Sequence, residues 1–429
     1  MRKRKEPFWL RHIKLLLIVI LFIKIAGYFT ITDVKIITQI YKIISRIGMT
    51  GCIILVLMQF RAYGCMDTLR LKNTLPLIFY VLYLGLGFAS FSWSTDPGYS
   101  ALQWLMTFES FVFVYFYFKV VYTVNTFFPE KHIDLVEVFT KSIFPIILIF
   151  VIGSFALPDF FYREMRGGEE IRLGGWIMNP NELGMLASIL GAMAYLNIMK
   201  KDGKWLFSLL AIVAALVILV LTSSRSSLIG FLLILGILIL RSDQRKLKIA
   251  MFALMALVAP FAIKEIIFKE GGGVEEVMSM TGRLPFWTAL LNEGIVKEPF
   301  FGYGFMRINY EDYFQGLNTY PGKMTHNTFM QVLMNLGFVG FFVALWQVIL
   351  TIRNAVKERT SPYRNFFIAL IIPVMINSFT EFGIFGDANY GILFWQFLIF
   401  LFLFEKREHF TSLEKAALRR FEQNKKVVP

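Results

Sequence analysis

The sequence predicts an all-α polytopic membrane protein with about twelve transmembrane helices. Three observations predict it. Of 429 residues, 56% are hydrophobic and only 17% are charged, where a soluble domain carries roughly 25% charged residues. Mean hydropathy is +0.60. The apolar residues also lie in runs of about 17 to 25, long enough to cross a bilayer as helices that satisfy their own backbone. A soluble globular enzyme and a disordered chain are thereby excluded. The net charge of +14 does not call for nucleic acid, because the cations gather in alternate short loops, as expected of a positive-inside membrane protein facing anionic lipid.

In chain order, spans are expected at roughly 13–31, 41–60, 74–93, 100–122, 137–157, 182–199, 204–222, 226–241, 247–267, 326–351, 364–382 and 389–405. The first run, Ile13 to Ile31, is too long for a signal-peptide core and reads as a retained span. Arg2, Lys3, Arg4 and Lys5 precede it, and Arg61, Arg70, Lys72, Lys131, Lys200, Arg241, Arg353, Lys357 and Arg364 recur at alternate loops. Both termini are therefore expected in the cytoplasm. The expected organisation is a basic N-terminus (1–12), spans one to nine (13–267) with an outer loop at 158–181, a large extracytoplasmic loop (268–325), spans ten to twelve (326–405) and a basic tail (406–429). The large loop holds the aromatics Trp287, Phe300, Phe301, Tyr303 and Phe305. It reads as a small folded cap with one or two amphipathic helices, one starting at Arg283. No internal repeat joins the two halves.

Cations on the outer side break the charge bias. Arg163, Arg166 and Arg172 lie in the first outer loop, Arg225 in the Ser-rich hairpin 222–227, Arg283 and Arg307 in the large loop. A guanidinium presents a planar fork of donors suited to phosphate, so converging outer arginines would hold a polyanionic head group. The other reading is that each snorkels to the interface. Of His12, His132, His326 and His409, His326 alone is expected outside, at the mouth of a span. It is either a general base or an interfacial residue beside a helix cap. Cys52 and Cys65 suggest no disulfide scaffold, and one outer His cannot build a metal cluster. Gly271–Gly273 lacks the Lys of a phosphate loop. The serines of 222–227 read as helix caps, and Gly337 with Gly340 as a site of close helix packing. Lys24 and Glu109 fall inside spans, where charge is costly, and form a candidate pair.

Several motifs then coincide. His326-Asn327 followed by Gly337 and Gly340 resembles the signature of the O-antigen ligase and O-antigen polymerase superfamily of integral membrane glycosyltransferases. Thr222-Ser223-Ser224-Arg225 is similar to that family's Ser-Arg hairpin. Gly282-Arg283 with Trp287 resembles its helix start, followed by Gly302-Tyr303-Gly304-Phe305. Asn179-Pro180-Asn181 and Asn377-Ser378-Phe379-Thr380-Glu381 resemble further motifs. The resemblance covers about residues 170–400. Phe341-Phe342 departs from the polar-Tyr pair of many members.

The resemblance implies a GT-C-like bundle with a metal- and cofactor-independent site at the outer face. Its donor would be a glycan on undecaprenyl diphosphate, bound by Arg225, Arg283 and Arg172. His326 would activate an acceptor hydroxyl, with Asn327, Asn181 and Glu381 in support. The expected partners are that donor, a glycan acceptor and membrane lipids, with a flippase and a chain-length regulator, and no nucleic acid. The expected activity is polymerisation of surface polysaccharide repeats. One alternative is ligation of the glycan to lipid A core, wall polymer or protein. Another is a lipid-linked-oligosaccharide flippase, although transporters usually show internal repeats.

Overall fold

A computed structural model describes residues 6–165, 170–200, 205–241, 245–262, 283–305, 325–381, 383–386 and 388–426. A helix stands at each expected span. They are α1 (Ile13–Ala26), α2 (Lys35–Ala62), α3 (Leu75–Ala89), α4 (Pro97–Phe127), α5 (Leu135–Ala156), α6 (Pro180–Met199), α7 (Trp205–Leu221), α8 (Arg225–Arg241) and α9 (Arg245–Ala262). After the short α10 (Arg283–Ala289) come α11 (Thr328–Lys357), α12 (Arg364–Thr380), α13 (Tyr390–Phe400) and the polar tail helix α14 (Ser412–Lys426). Among the described residues, six segments are long and apolar enough to cross a membrane: Lys35–Ala62, Leu75–Ser92, Pro97–Phe127, Pro129–Ala156, Pro180–Met199 and Thr328–Lys357. Trp205–Leu221, Arg364–Thr380 and Tyr390–Phe400 are apolar but shorter. The chain is thus a largely helical, multi-pass membrane protein.

Two small departures from an all-α chain occur at loops. β1 (Leu69–Leu71) pairs antiparallel with β4 (Phe404–Lys406), Leu69 opposite Lys406. β2 (Tyr162–Met165) pairs with β3 (Glu170–Leu173), Arg163 opposite Arg172. In each, two connecting segments satisfy one another's backbone groups. The 158–181 connector is accordingly a built structure, with a helical turn at Pro158–Phe161 leading into the hairpin.

Loops at each end of the bundle are tied to one another by hydrogen bonds. Lys72 Nζ donates to Glu358 Oε1 (2.6 Å) and Asn354 Nδ2 to the Asn73 carbonyl (3.0 Å) beside the β1–β4 pair. These loops were all expected on one side. At the opposite end Thr95 N donates to the Tyr303 carbonyl (3.1 Å) and Ala388 N to Gln103 Oε1 (2.9 Å).

α6 lies at the centre, packed against α5, α7, α8 and α12, and most of its residues are buried. The candidate charge pair within the spans does form. Lys24 Nζ bonds Glu109, and Arg46 Nη2 donates to the Met106 carbonyl (2.8 Å) with its guanidinium 4.2 Å from the Tyr28 ring centroid. All three charged side chains are buried, where only mutual pairing makes ions tolerable.

Gly337 does something other than the helix packing expected of it. Within α11 it has φ 62° and ψ −164°, which breaks the helix. The Pro299–Gly304 loop docks into the break: Phe338 N donates to the Pro299 carbonyl (2.8 Å), Tyr303 N to that of Met334 (3.0 Å) and Gly304 N to that of Asn335 (2.8 Å). A Cβ on Gly337 would lie 2.3 Å from the Phe300 carbonyl. So the glycine admits a loop backbone, not a neighbouring helix. Gly337→Ala combines a backbone conformation open essentially to glycine alone, costing about 1–3 kcal/mol, with overpacking of about 1–3 kcal/mol. Thermal unfolding in detergent is expected to shift down by several degrees; an unchanged midpoint would refute this account of the break.

Candidate active site

The site forms where four segments meet at one end of the bundle, and its centre is Glu381. α12 stops at Thr380, and the Glu381 N–H still bonds the Asn377 carbonyl (2.6 Å), so the carboxylate is held just past the helix end. Oε1 accepts from Asn181 Nδ2 (2.8 Å) and from Arg283 Nη2 (3.0 Å). Oε2 pairs with His326 Nδ1 (2.8 Å). Burial opposes the charge of Glu381. The adjacent His326, then Arg283 and the Asn181 amide, outweigh burial and hold the carboxyl below its usual range. The carboxylate is 6% exposed, whereas His326 and Arg283 are 19% and 15% exposed. The anion is therefore internal, and the two groups it orients still reach the solvent.

His326 stands in a turn fixed from several directions. Its own φ is +50°, a conformation uncommon outside glycine and often found at functional sites. Asn327 caps α11, its side chain accepting from Phe329 N (2.9 Å) and Met330 N (3.1 Å), while its Nδ2 donates to the Phe379 carbonyl (3.3 Å). Trp287 Nε1 donates to the Thr325 carbonyl (2.7 Å). Arg283 and Trp287 are four apart on one helix, so a single face of α10 grips both Glu381 and the histidine turn. Sequence reasoning assigned Trp287 no such part. The visible signals were its i, i+4 spacing from Arg283 and its place in the motif that begins at Gly282.

The remaining residues form an outer ring. Arg172, on β3, is buried; Nε donates to the Thr222 carbonyl (2.7 Å) and Nη2 to Asn181 Oδ1 (2.9 Å). It thus straps the 222–227 hairpin to Asn181. Ser227 Oγ donates to the Asn181 carbonyl (3.1 Å) and completes the clamp. Ser224 Oγ accepts from Ser227 N (3.4 Å), a helix-cap contact of the kind expected of these serines. Arg225 is the first residue of α8, half-buried on this same hairpin. Arg283, His326, Asn181, Arg172 and Glu381 are therefore joined in one hydrogen-bonded chain, and the hairpin bearing Arg225 is fastened to it. Arg163 stands apart, exposed, its guanidinium 5.7 Å from the Trp176 ring centroid. Arg166, Arg307, Gly271–Gly273 and Gly282 lie outside the described residues.

The geometry assigns the histidine tautomer. An ionised carboxylate only accepts, so Nδ1 carries the proton that meets Glu381 Oε2, and in the neutral ring Nε2 keeps a lone pair. Arg283 engages Glu381 through Nη2, while its buried Nε has no hydrogen-bond partner among the described residues. An unused guanidinium donor and a basic imidazole nitrogen thus flank one carboxylate.

No curated protein matches the chain. A family described as O-antigen ligase matches residues 210–345, a stretch that includes Arg225, Arg283, His326 and Gly337, whereas Arg172, Asn181 and Glu381 lie outside it. The similarity to the family described as O-antigen ligase is thus confined to residues 210–345, about a third of the chain.

Proposed function

We propose that the protein is a metal-independent glycosyltransferase of a bacterial cell membrane, with both termini in the cytoplasm. Its donor is a glycan on undecaprenyl diphosphate, its acceptor a glycan hydroxyl, and its product a lengthened surface polysaccharide. His326 Nε2 takes the proton of the acceptor hydroxyl. That oxygen attacks the anomeric carbon, the bond from this carbon to the phosphate oxygen breaks, and undecaprenyl diphosphate leaves with the electron pair, inverting the centre. Arg283 and Arg225 balance the charge that grows on the leaving phosphate. Arg172 acts from behind, holding the Arg225 hairpin in register. The observation that carries the reading is the His326–Glu381–Arg283 contact, which sets a base beside a cation.

The test is glycan analysis of a deletion strain. Single repeats on the normal acceptor are the expected result. Long chains stranded on undecaprenyl diphosphate would instead make the protein a ligase, and unchanged surface glycan would end the transferase reading. In a reconstituted assay Arg225→Lys is expected to lower turnover at least about tenfold, because an ammonium is a point charge and cannot form a bidentate fork. The wild-type rate is expected to survive excess EDTA. A rate that collapses with the chelator would bring a metal back into the chemistry.

A further inference from the structure

A cavity opens at the N-terminal end of α6. It has a volume of about 330 Å³ and is bounded by Tyr28, Lys42, Trp176, Asn179, Glu182 and Asn389, within the usual range of small-ligand sites. Asn179 and Glu182 flank Asn181, the residue whose amide holds Glu381. The cavity therefore lies on the same short stretch of chain that organises the proposed catalytic centre.

Its walls are built before any ligand arrives. The turn after β3 passes through Gly175 at φ +57°, where a Cβ would lie 2.3 Å from the Phe160 carbonyl. Thr30 N donates to the Ile177 carbonyl (2.9 Å), tying that turn to the segment after α1. Asn389 caps α13, its side chain accepting from Ile392 N (3.2 Å). Three separate parts of the chain are thus fixed around one space, which lowers the ordering cost of binding.

The lining chemistry is mixed in a particular way. Trp176 presents a 61% exposed indole, with Arg163 stacked near it. Lys42 brings donors, Glu182 acceptors, and the Asn179 amide both. A lone acyl chain would leave these groups unpaired. A pyranose ring suits the set, since its C–H face packs on an aromatic face and its hydroxyls both donate and accept.

We infer that this cavity is a saccharide subsite that holds one sugar of the glycan next to the reacting ones, with Trp176 as its platform and Glu182, Asn179 and Lys42 as its hydroxyl partners. The inference rests on the transferase reading for its choice of glycan. The subsite sets which repeat unit is accepted and in what register it approaches His326.

The test uses full-length protein in lipid nanodiscs and, as probe, the repeat oligosaccharide released by mild acid from the host's own surface polysaccharide. Calorimetry is run on wild type, His326→Ala, Trp176→Ala, Trp176→Phe and Glu182→Gln, each first checked for monodisperse elution and an unchanged thermal midpoint. Wild type and His326→Ala are expected to bind equally. Trp176→Ala and Glu182→Gln are expected to weaken binding about tenfold, which is about 1.4 kcal/mol, and Trp176→Phe to restore most of it. Undetectable binding to wild type, or full affinity in both Trp176→Ala and Glu182→Gln, overturns the subsite. The two readings fail separately. Binding that depends on Trp176 in a protein that transfers no sugar keeps the subsite and ends the transferase. Polymer formation without oligosaccharide binding does the reverse.

Discussion

Replacing His326 by alanine is expected to reduce glycan transfer about 100- to 10,000-fold, the usual contribution of a positioned general base, with expression and membrane insertion intact. The ring is 19% exposed. Its loss leaves Glu381 with both the Asn181 and the Arg283 contacts, so the anion stays paired and the fold should hold. The deficit is expected in kcat, with the donor KM nearly unchanged, since the arginines proposed to hold the diphosphate remain. Wild-type turnover in this variant would remove the base assignment and with it the proposed mechanism.

The second large effect is expected at Glu381. Two carboxylate oxygens serve three side-chain contacts, from Asn181, Arg283 and His326. Glutamine offers one carbonyl oxygen and one NH₂, so at least one of these groups must face another donor. Where it is His326, the proton moves to Nε2 and the base is lost. Glu381→Gln is therefore expected to lower kcat about 100-fold or more, by the loss of tautomer control known from acid–histidine pairs. Glu381→Ala also removes the carboxylate that the partly exposed Arg283 guanidinium contacts and is expected to destabilise the fold, read as a lower thermal midpoint. A purely structural Glu381 predicts parallel losses of stability and activity in both variants. The proposed role predicts that Glu381→Gln keeps its midpoint and loses turnover.

How much of this was legible in the chain depends on the range of the forces involved. Spans follow from local composition, because lipid forces each apolar run into a self-satisfied helix. The helices at all twelve expected places reflect that. Arg283, His326 and Glu381 were each visible as separate candidates, through the wrong charge on the expected outer side and through motif resemblance. Their meeting at one carboxylate was not visible, since His326 and Glu381 are 55 positions apart and Arg283 and Glu381 are 98 apart. Gly337 was misjudged for a related reason. A glycine in an apolar helix looks the same from sequence whether a helix or a loop approaches it, and only the docked Pro299–Gly304 backbone tells the two apart.

Sequence alone determined a multi-pass helical protein and the places of its helices along the chain. Those properties depend on burial and charge, which act residue by residue. Tertiary structure alone decided that Glu381 would be the anchor, that Arg172 would brace a hairpin from within, and that a turn after β3 would wall a polar cavity beside the site. Hydrogen bonds act over about 3 Å and are directional. Which donors reach which acceptor is therefore set by how the helices pack, and no local reading of the chain contains it.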